Sequence, residues 1–133
     1  MNRLVLDTDV ASLSVKRRLP PGMRARLSTS LVCVSFVTVG ELTRWMRLHD
    51  WGLQRRAGMA AWLAGTVKLA YGDDVAVLWG ELSAAATSRG LARPTNDMWI
   101  AACCLADRLP LATRNVKDFA YFADHHGLDL IPV

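Results

Sequence analysis

The chain has 133 residues, of which 52% are hydrophobic, and its 16 Lys and Arg exceed its 12 Asp and Glu to give a net charge of +4. This length and apolar content predict one folded domain over residues 1–133 and exclude disordered and fibrous classes of protein. The small positive excess by itself fits a solvated surface as well as an anionic partner. No apolar run is as long as a membrane span, and Asp7 interrupts the first apolar segment, so neither a transmembrane helix nor a signal peptide is expected.

The chain contains three cysteines, Cys33, Cys103 and Cys104, and all lie in apolar segments. Their number is odd, two of them are adjacent, and no C-x-x-C pair is present. This pattern predicts small core side chains in a reducing compartment, and we expect the protein in the cytoplasm.

Short apolar runs alternate with helical patterns along the chain. Apolar runs predict strands at 3–6, 31–35, about 66–71, 110–113 and 128–131, each covered on both faces. Helical spacing predicts helices after the first strand, over 37–49, around Trp62, over 73–88 from a cap at 72–74, and over 95–108 from a cap at 95–97. The order β-α-β-α-α-β-α-α-β-α-β predicts an α/β class protein, a single α/β/α sandwich with a mostly parallel sheet.

Acidic and amide side chains occur where the predicted strands end. Asp7 follows the first strand, Asn115 follows the strand at 110–113, and Glu41 and Asp97 are placed in first turns of helices. Ligands of open parallel sheets collect beyond the carboxyl ends of the strands, so we expect these four side chains to converge.

Three carboxylates in a partly buried pocket repel one another unless a cation neutralises them. Oxygen ligands without paired His or Cys favour Mg²⁺, with Mn²⁺ as a substitute, over Zn²⁺. Such an ion activates water and stabilises the oxygens of a phosphodiester displacement. The surplus of Lys and Arg elsewhere suits a polyanionic substrate.

Four segments resemble the signature blocks of PIN-domain ribonucleases, and most closely those of VapC toxins of bacterial toxin-antitoxin pairs. They are LVLDTDVAS, VSFVTVGEL, NDMWIAACCLA and LPLATRNVKDF, and they follow the family order over nearly the whole chain. The family acids correspond to Asp7, Glu41 and Asp97, which the resemblance assigns as metal ligands and catalytic residues.

Two positions depart from the family pattern. Asn115 occupies the place of a frequent fourth acid, which puts a second metal ion in question, and Asp118 either compensates for it or only starts a helix. Asp9 stands where the family commonly has Asn or Ser, and it either caps the first helix or adds an outer carboxylate. Asn115 and Asp118 are therefore included with Asp7, Glu41 and Asp97 as candidate catalytic residues.

The resemblance implies an Mg²⁺-dependent endoribonuclease that leaves 5′-phosphate and 3′-hydroxyl ends. It further implies an RNA substrate such as tRNA or rRNA, a homodimer, no membrane association, and a VapB-type antitoxin that inserts a basic residue into the acidic pocket.

Some basic and aromatic residues are candidates for contacts with RNA. Arg93 and Arg114 flank the acidic positions and are candidates for binding substrate phosphate. The tryptophans fall mostly at helical spacing with aliphatic residues, which favours a place in the core or at a dimer face over base stacking.

Two other function classes fit parts of the sequence. A PIN fold with a decayed site would act only by binding partners, and Asn115 is the feature that supports it. A haloacid dehalogenase-type phosphatase would use Asp7 as nucleophile and Asp9 as acid/base, but Lys68 lies too close to Asp73 for the arrangement of that family.

Overall fold

A computed structural model describes residues 2–133 of the chain, with five strands and seven helices. The strands are β1 (Asn2–Leu6), β2 (Ser30–Val34), β3 (Val67–Lys68), β4 (Leu111–Thr113) and β5 (Leu130–Pro132). The helices are α1 (Thr8–Val15), α2 (Pro21–Ser28), α3 (Phe36–Leu48), α4 (Leu53–Ala64), α5 (Asp73–Ser88), α6 (Thr95–Ala106) and α7 (Val116–His126).

The strands form one parallel sheet in the order β3-β2-β1-β4-β5. The central strand β1 pairs with both neighbours, and Val5 lies opposite Cys33 of β2 and Leu111 of β4. Because all the strands run the same way, their carboxyl ends share one edge of the sheet. The fold predicted from the sequence, an α/β/α sandwich with a parallel sheet, is confirmed.

Helices cover both faces of this sheet, and the alternation of side chains along β1 shows the two layers. Val5 belongs to a buried cluster with Ile100 of α6 and Phe122 of α7. Leu4 and Leu6 belong to a second cluster that is completed by apolar residues of α1, α2, α3 and α4. The three cysteines are buried, free and part of the core, as expected for small apolar side chains.

The element boundaries agree with the sequence prediction in most places and differ in a few. The helix over 73–88 has the predicted bounds, whereas the strand predicted at 66–71 is reduced to Val67–Lys68 and the helix predicted over 95–108 ends at Ala106. Helix α2 was not predicted. It begins at Pro21, because a proline suits the first turn of a helix, where its missing N–H is not needed.

The cap predicted at 72–74 is confirmed in position, at Gly72, whereas the cap predicted at 95–97 is wrong. Gly72 precedes α5 and Pro94 precedes α6, and neither helix has a side-chain cap hydrogen bond. Side-chain caps are formed by Asp7 on α1 and Ser35 on α3. None of the helices in the described part of the chain has an apolar stretch that could cross a bilayer.

Candidate active site

An open cleft of about 450 Å³ lies at the edge where the carboxyl ends of the strands meet. The four side chains that were expected to converge, Asp7, Glu41, Asp97 and Asn115, all line it. We call it the acidic cleft. Its complete lining is Asp7, Thr8, Asp9, Glu41, Arg44, Trp45, Leu48, His49, Asn96, Asp97, Ile100 and Asn115.

Asp7 lies at the buried end of β1 and is only 5% exposed. Its Oδ1 accepts the backbone N–H of Thr8 at 2.8 Å, which caps α1, and its Oδ2 accepts the hydroxyl of Thr113 at 2.9 Å. Burial raises the pKa of the Asp7 carboxyl above its ordinary value, and these two hydrogen bonds oppose the rise. Asp7 therefore both caps α1 and lines the cleft, and the two hydrogen bonds hold both of its carboxylate oxygens in place.

Glu41 enters the cleft from α3 and is held by α1. The Thr8 hydroxyl donates to Glu41 Oε1 at 2.7 Å, and it also lies 3.0 Å from the hydroxyl of the buried Thr38. The expectation that Glu41 occupies the first turn is wrong. Because α3 begins at Phe36, Glu41 lies in its second turn and reaches the cleft from the side.

Asp97 lies in the first turn of α6, as predicted, and is half-buried. Burial, together with the negative charges of Asp7, Asp118 and Glu41, raises the pKa of its carboxyl to about 6. The positive charge of Arg93 acts in the opposite direction. Arg44 also lines the cleft, but among the described residues none of the cleft carboxylates forms an ion pair within 4.0 Å.

Asn115 and Asp9 meet on the open side of the cleft. Asn115 Nδ2 lies 3.4 Å from Asp9 Oδ2, within hydrogen-bond distance, and the Asn115 backbone N–H donates to the Thr113 hydroxyl at 2.9 Å. The alternative in which Asp9 caps α1 is wrong, because Asp7 does so. Asp9 instead places an exposed carboxylate beside Asn115, where the sequence pattern lacks its fourth acid.

The remaining candidate residues stand outside the lining. Asp118 lies in the first turn of α7, exposed, and acts on the cleft through its effect on the pKa of Asp97. Arg114 is exposed at the end of β4. Arg93 is half-buried in the loop before α6 and packs against Tyr121 at 5.5 Å, so it borders the cleft without lining it.

The donor set fits a hard divalent cation. Among residues 2–133, no three acidic, histidine or cysteine side chains are close enough to form a preformed metal centre. Mg²⁺ does not need one, since it keeps several waters and is commonly bound by one or two carboxylates together with substrate phosphate. The pKa values of Asp7 and Asp97 are raised first by burial and then by neighbouring carboxylates, and a bound cation would favour the ionised form of both groups.

The sequence reasoning missed the residues that support the acids. Thr8, Thr38 and Ser35 form a hydroxyl network behind Glu41, and only the folded chain brings α1 beside α3. Arg44 and Trp45 line the cleft with Glu41. The sequence did contain a signal for these two, because residues three and four positions after Glu41 share its helix face.

The tryptophans divide between the core, a partly buried stack that packs against the core, and the cleft. Trp51 is buried, and Trp79 stacks on Trp99 with ring centroids 5.1 Å apart. Trp45, expected in the core or at a dimer face, lines the acidic cleft, with the Lys16 ammonium 4.3 Å above its ring.

Comparisons with known proteins point in one direction. No protein-family model matches the chain. It is similar to Ribonuclease VapC2 of Haemophilus influenzae, with 28% identity over 120 residues that cover 90% of this chain and 91% of that protein. Its fold matches a chain in the structure of VapBC-5 from Mycobacterium tuberculosis at a TM-score of 0.71, with 29% identity and all of both chains covered. It also matches a chain of VapBC2 from Rickettsia felis, solved bound to a DNA fragment from their promoter, at a TM-score of 0.85 and 19% identity over 98% of each chain.

Proposed function

We propose that this chain, which is similar in sequence and fold to VapC ribonucleases, is the toxin of a VapBC pair, an Mg²⁺-dependent endoribonuclease that leaves 5′-phosphate and 3′-hydroxyl ends. The observation that carries the proposal is the convergence of Asp7, Glu41 and Asp97 on one cleft at the carboxyl edge of the sheet. The curated relative named a ribonuclease supports the activity. The same comparisons favour a nuclease over the phosphatase alternative.

In this proposal Asp7 and Asp97 hold the cation, with Glu41 as a third carboxylate. A bound divalent ion lowers the pKa of its water and stabilises charge on the phosphate. Mn²⁺ substitutes for Mg²⁺, since both prefer oxygen ligands.

The chain's own residues orient these ligands and receive the proton. Thr113 and the Thr8 N–H hold the two oxygens of Asp7, and the Thr8 hydroxyl holds Oε1 of Glu41. The other oxygen of Glu41 is free to accept a proton from the attacking water or to bind the ion through a water. Asp118 acts from outside the cleft through its charge, and Asn115 acts by positioning Asp9.

We propose three partners for this chain: an antitoxin, a second copy of the chain and an RNA substrate. Solved neighbours are VapBC complexes, and an antitoxin that placed a basic side chain in the acidic cleft would supply the missing positive charge. The exposed aromatic residues Phe36 and Tyr71, whose rings lie 5.5 Å apart, support a homodimer. We propose an RNA substrate, tRNA or rRNA, encountered in the cytoplasm.

The alternative of a decayed binding module rests on Asn115. An amide oxygen is a weaker cation ligand than a carboxylate. Asp9, however, lies 3.4 Å from the Asn115 amide and supplies a carboxylate on that side of the cleft. This contact favours an active site over a decayed one.

The decisive experiment incubates the purified, antitoxin-free protein with total cellular RNA and Mg²⁺ or Mn²⁺ and sequences the new 5′ ends. We expect discrete 5′-phosphate ends that require metal and fall by at least about 100-fold in Asp7→Asn, since a ligand to the ion is neutralised. A matched control is Asp50→Asn. Asp50 is exposed and pairs only with Arg56, and its positive φ of 49° suits asparagine equally well.

The proposal fails if metal binds, the fold is intact and no RNA is cut. It also fails if Asp7→Asn and Asp50→Asn cut RNA equally well. Mn²⁺ uptake by calorimetry, expected in the wild type and lost in Asp7→Asn, distinguishes a decayed site from an unloaded one.

A further inference from the structure

Two arginines, Arg89 at the end of α5 and Arg93 in the loop before α6, lie close to the ring of the buried Tyr121 of α7. The guanidinium carbons of Arg89 and Arg93 lie 5.8 Å and 5.5 Å from the centroid of the Tyr121 ring. Arg89 Nη1 donates to the Tyr121 hydroxyl at 2.7 Å, and Arg93 Nε donates to the carbonyl oxygens of Leu91 and Ala92. We call Arg89, Arg93 and Tyr121 the arginine–tyrosine cluster.

The positive charges of this cluster have no partner of opposite sign. In the part of the chain that the structure describes, the single ion pair joins Arg56 to Asp50, so no carboxylate lies within 4.0 Å of Arg89 or Arg93. Two guanidinium groups on one ring repel each other, and an anion between or beside them relieves this repulsion. The free Nη groups of Arg93 form a fork that matches phosphate geometry.

Two histidines complete the surroundings of the cluster. His126 Nε2 lies 3.5 Å from Arg89 Nη1, and the His125 ring centroid is 4.7 Å from that of Tyr121. Burial and the charge of Arg89 lower the pKa of His126. This shift favours the neutral form of His126, and Arg89 and Arg93 supply the permanent positive charge beside Tyr121.

The cluster lies next to the acidic cleft. Arg93 stands four residues before Asp97 in the segment that leads into α6, and its positive charge opposes the rise in the pKa of Asp97. A nucleic acid strand whose reacting phosphate lies in the cleft continues beyond it with one phosphate per nucleotide. Arg93 lies on the side of the cleft where a neighbouring phosphate of such a strand could bind.

We propose that Arg89 and Arg93, held on Tyr121, bind a backbone phosphate of the RNA adjacent to the acidic cleft. This inference rests on the proposed ribonuclease function and extends it, since Arg89 and Tyr121 had no assigned role. The contact positions the strand and carries no base specificity, because phosphate contacts fix register without reading sequence.

The test measures RNA affinity in protein that cannot cut. The probe is a fluorescein-labelled single-stranded RNA that spans a site mapped with the wild type, bound to Asp7→Asn protein and followed by anisotropy at several salt concentrations. Adding Arg89→Ala and Arg93→Ala should weaken binding about 10-fold at low salt and reduce the slope of log K against log salt by about 1.

Arg55→Ala is the matched control. Arg55 also lies over an aromatic ring, 4.2 Å from the centroid of Trp51, but belongs to α4. Arg55→Ala removes one positive charge and the same kind of contact as each single variant, Arg89→Ala or Arg93→Ala, with which it is compared, and we expect a change in affinity below about 2-fold. An equal loss in Arg55→Ala would overturn the proposal, because it would show that net charge alone sets the affinity.

Further variants separate binding from folding. Arg89→Lys with Arg93→Lys keeps the charges and should retain part of the affinity, which identifies a phosphate contact if the alanine variant is unstable. In cleaving protein, Arg89→Ala should raise KM with kcat preserved, since the contact lies away from the reacting atoms. A loss of kcat at unchanged KM contradicts the proposal.

The experiments distinguish failure of the phosphate-binding proposal from failure of the proposed ribonuclease function. If the wild type cuts RNA and the alanine variant binds RNA as tightly as the control, this proposal alone is wrong. If the variant loses binding to a polyglutamate peptide and keeps RNA binding, the cluster serves an acidic protein partner instead. If the wild type cuts no RNA, the ribonuclease proposal and this one fail together.

Discussion

The acidic cleft and the arginine–tyrosine cluster have a similar arrangement of side chains but opposite charge. Each gathers like-charged side chains, and each fixes at least one of them through a buried hydroxyl group: Thr113 holds Asp7, and the Tyr121 hydroxyl holds Arg89. In neither does the described chain provide an opposing charge within 4.0 Å. The two regions together suit a polyanion that is bound on one side through a cation and on the other directly.

The difference between the two regions lies in burial. Asp7 is almost fully buried and Asp97 is half-buried, and burial is the largest cause of their raised pKa values. Arg89 is exposed and Arg93 half-buried, so water solvates the cluster at little cost. We therefore expect substitutions in the cleft to change activity most, and those in the cluster to change affinity.

The largest effect should come from Asp97→Asn. Because it neutralises a proposed metal ligand, kcat/KM for RNA cleavage in Mg²⁺ should fall at least about 100-fold, which corresponds to about 2.7 kcal/mol. Asp73→Asn is the control, since Asp73 also lies in the first turn of a helix but is exposed on α5, and it should retain activity. Equal activity in the two variants would show that Asp97 is not essential for cleavage. Carboxylates in the cleft would then matter no more for activity than an exposed carboxylate on α5.

A smaller effect should follow from Thr113→Val. The buried Thr113 hydroxyl donates to Asp7 and accepts from the Asn115 N–H, so its loss leaves two groups unpaired. We expect the free energy of unfolding in urea to fall by about 1–3 kcal/mol. Thr43→Val removes an exposed hydroxyl bonded to a backbone carbonyl on α3, and it should change stability by less than about 0.5 kcal/mol. A similar cost in both variants would show that the hydroxyl behind Asp7 has no special role.

The smallest effect concerns pH. With a folded pKa of about 6 against an ordinary value of 3.8, Asp97 binds more protons in the folded than in the unfolded chain between these values. Stability without metal should therefore be greatest at low pH in this window and decrease as pH rises through 6. Since Asp97 is half exposed, screening by solvent limits the contribution to about 1 kcal/mol.

Urea unfolding in EDTA at pH 4.5 and 6.5 measures this change. The decrease should be smaller in Asp97→Asn, with the remainder due to Asp7, and Asp97→Asn should be at least as stable as the wild type at pH 6.5. A variant that is clearly less stable than the wild type at that pH would show that the Asp97 carboxylate supports the fold.

The parts of the fold that could be predicted from the sequence are those that local pattern determines. The apolar segment before Asp7 and the helical pattern over 73–88 gave correct elements, since strand and helix periods are visible in single segments. Helix α2 was missed because Pro20, Pro21 and Gly22 suggest a loop, although Pro21 suits a helix start. The strand at 66–71 was overextended because only Val67–Lys68 pairs with β2.

By itself the sequence determined that a parallel sheet brings Asp7, Glu41, Asp97 and Asn115 to one edge. The reason is topological, because the carboxyl ends of parallel strands must meet. Only the tertiary structure decided how the acids are held and what stands beside them. Thr8 bonds to a glutamate 33 positions away, Thr113 to an aspartate 106 positions away, and Arg89 to a tyrosine 32 positions away. Such contacts depend on helix packing across the sheet, which leaves no local pattern in the chain.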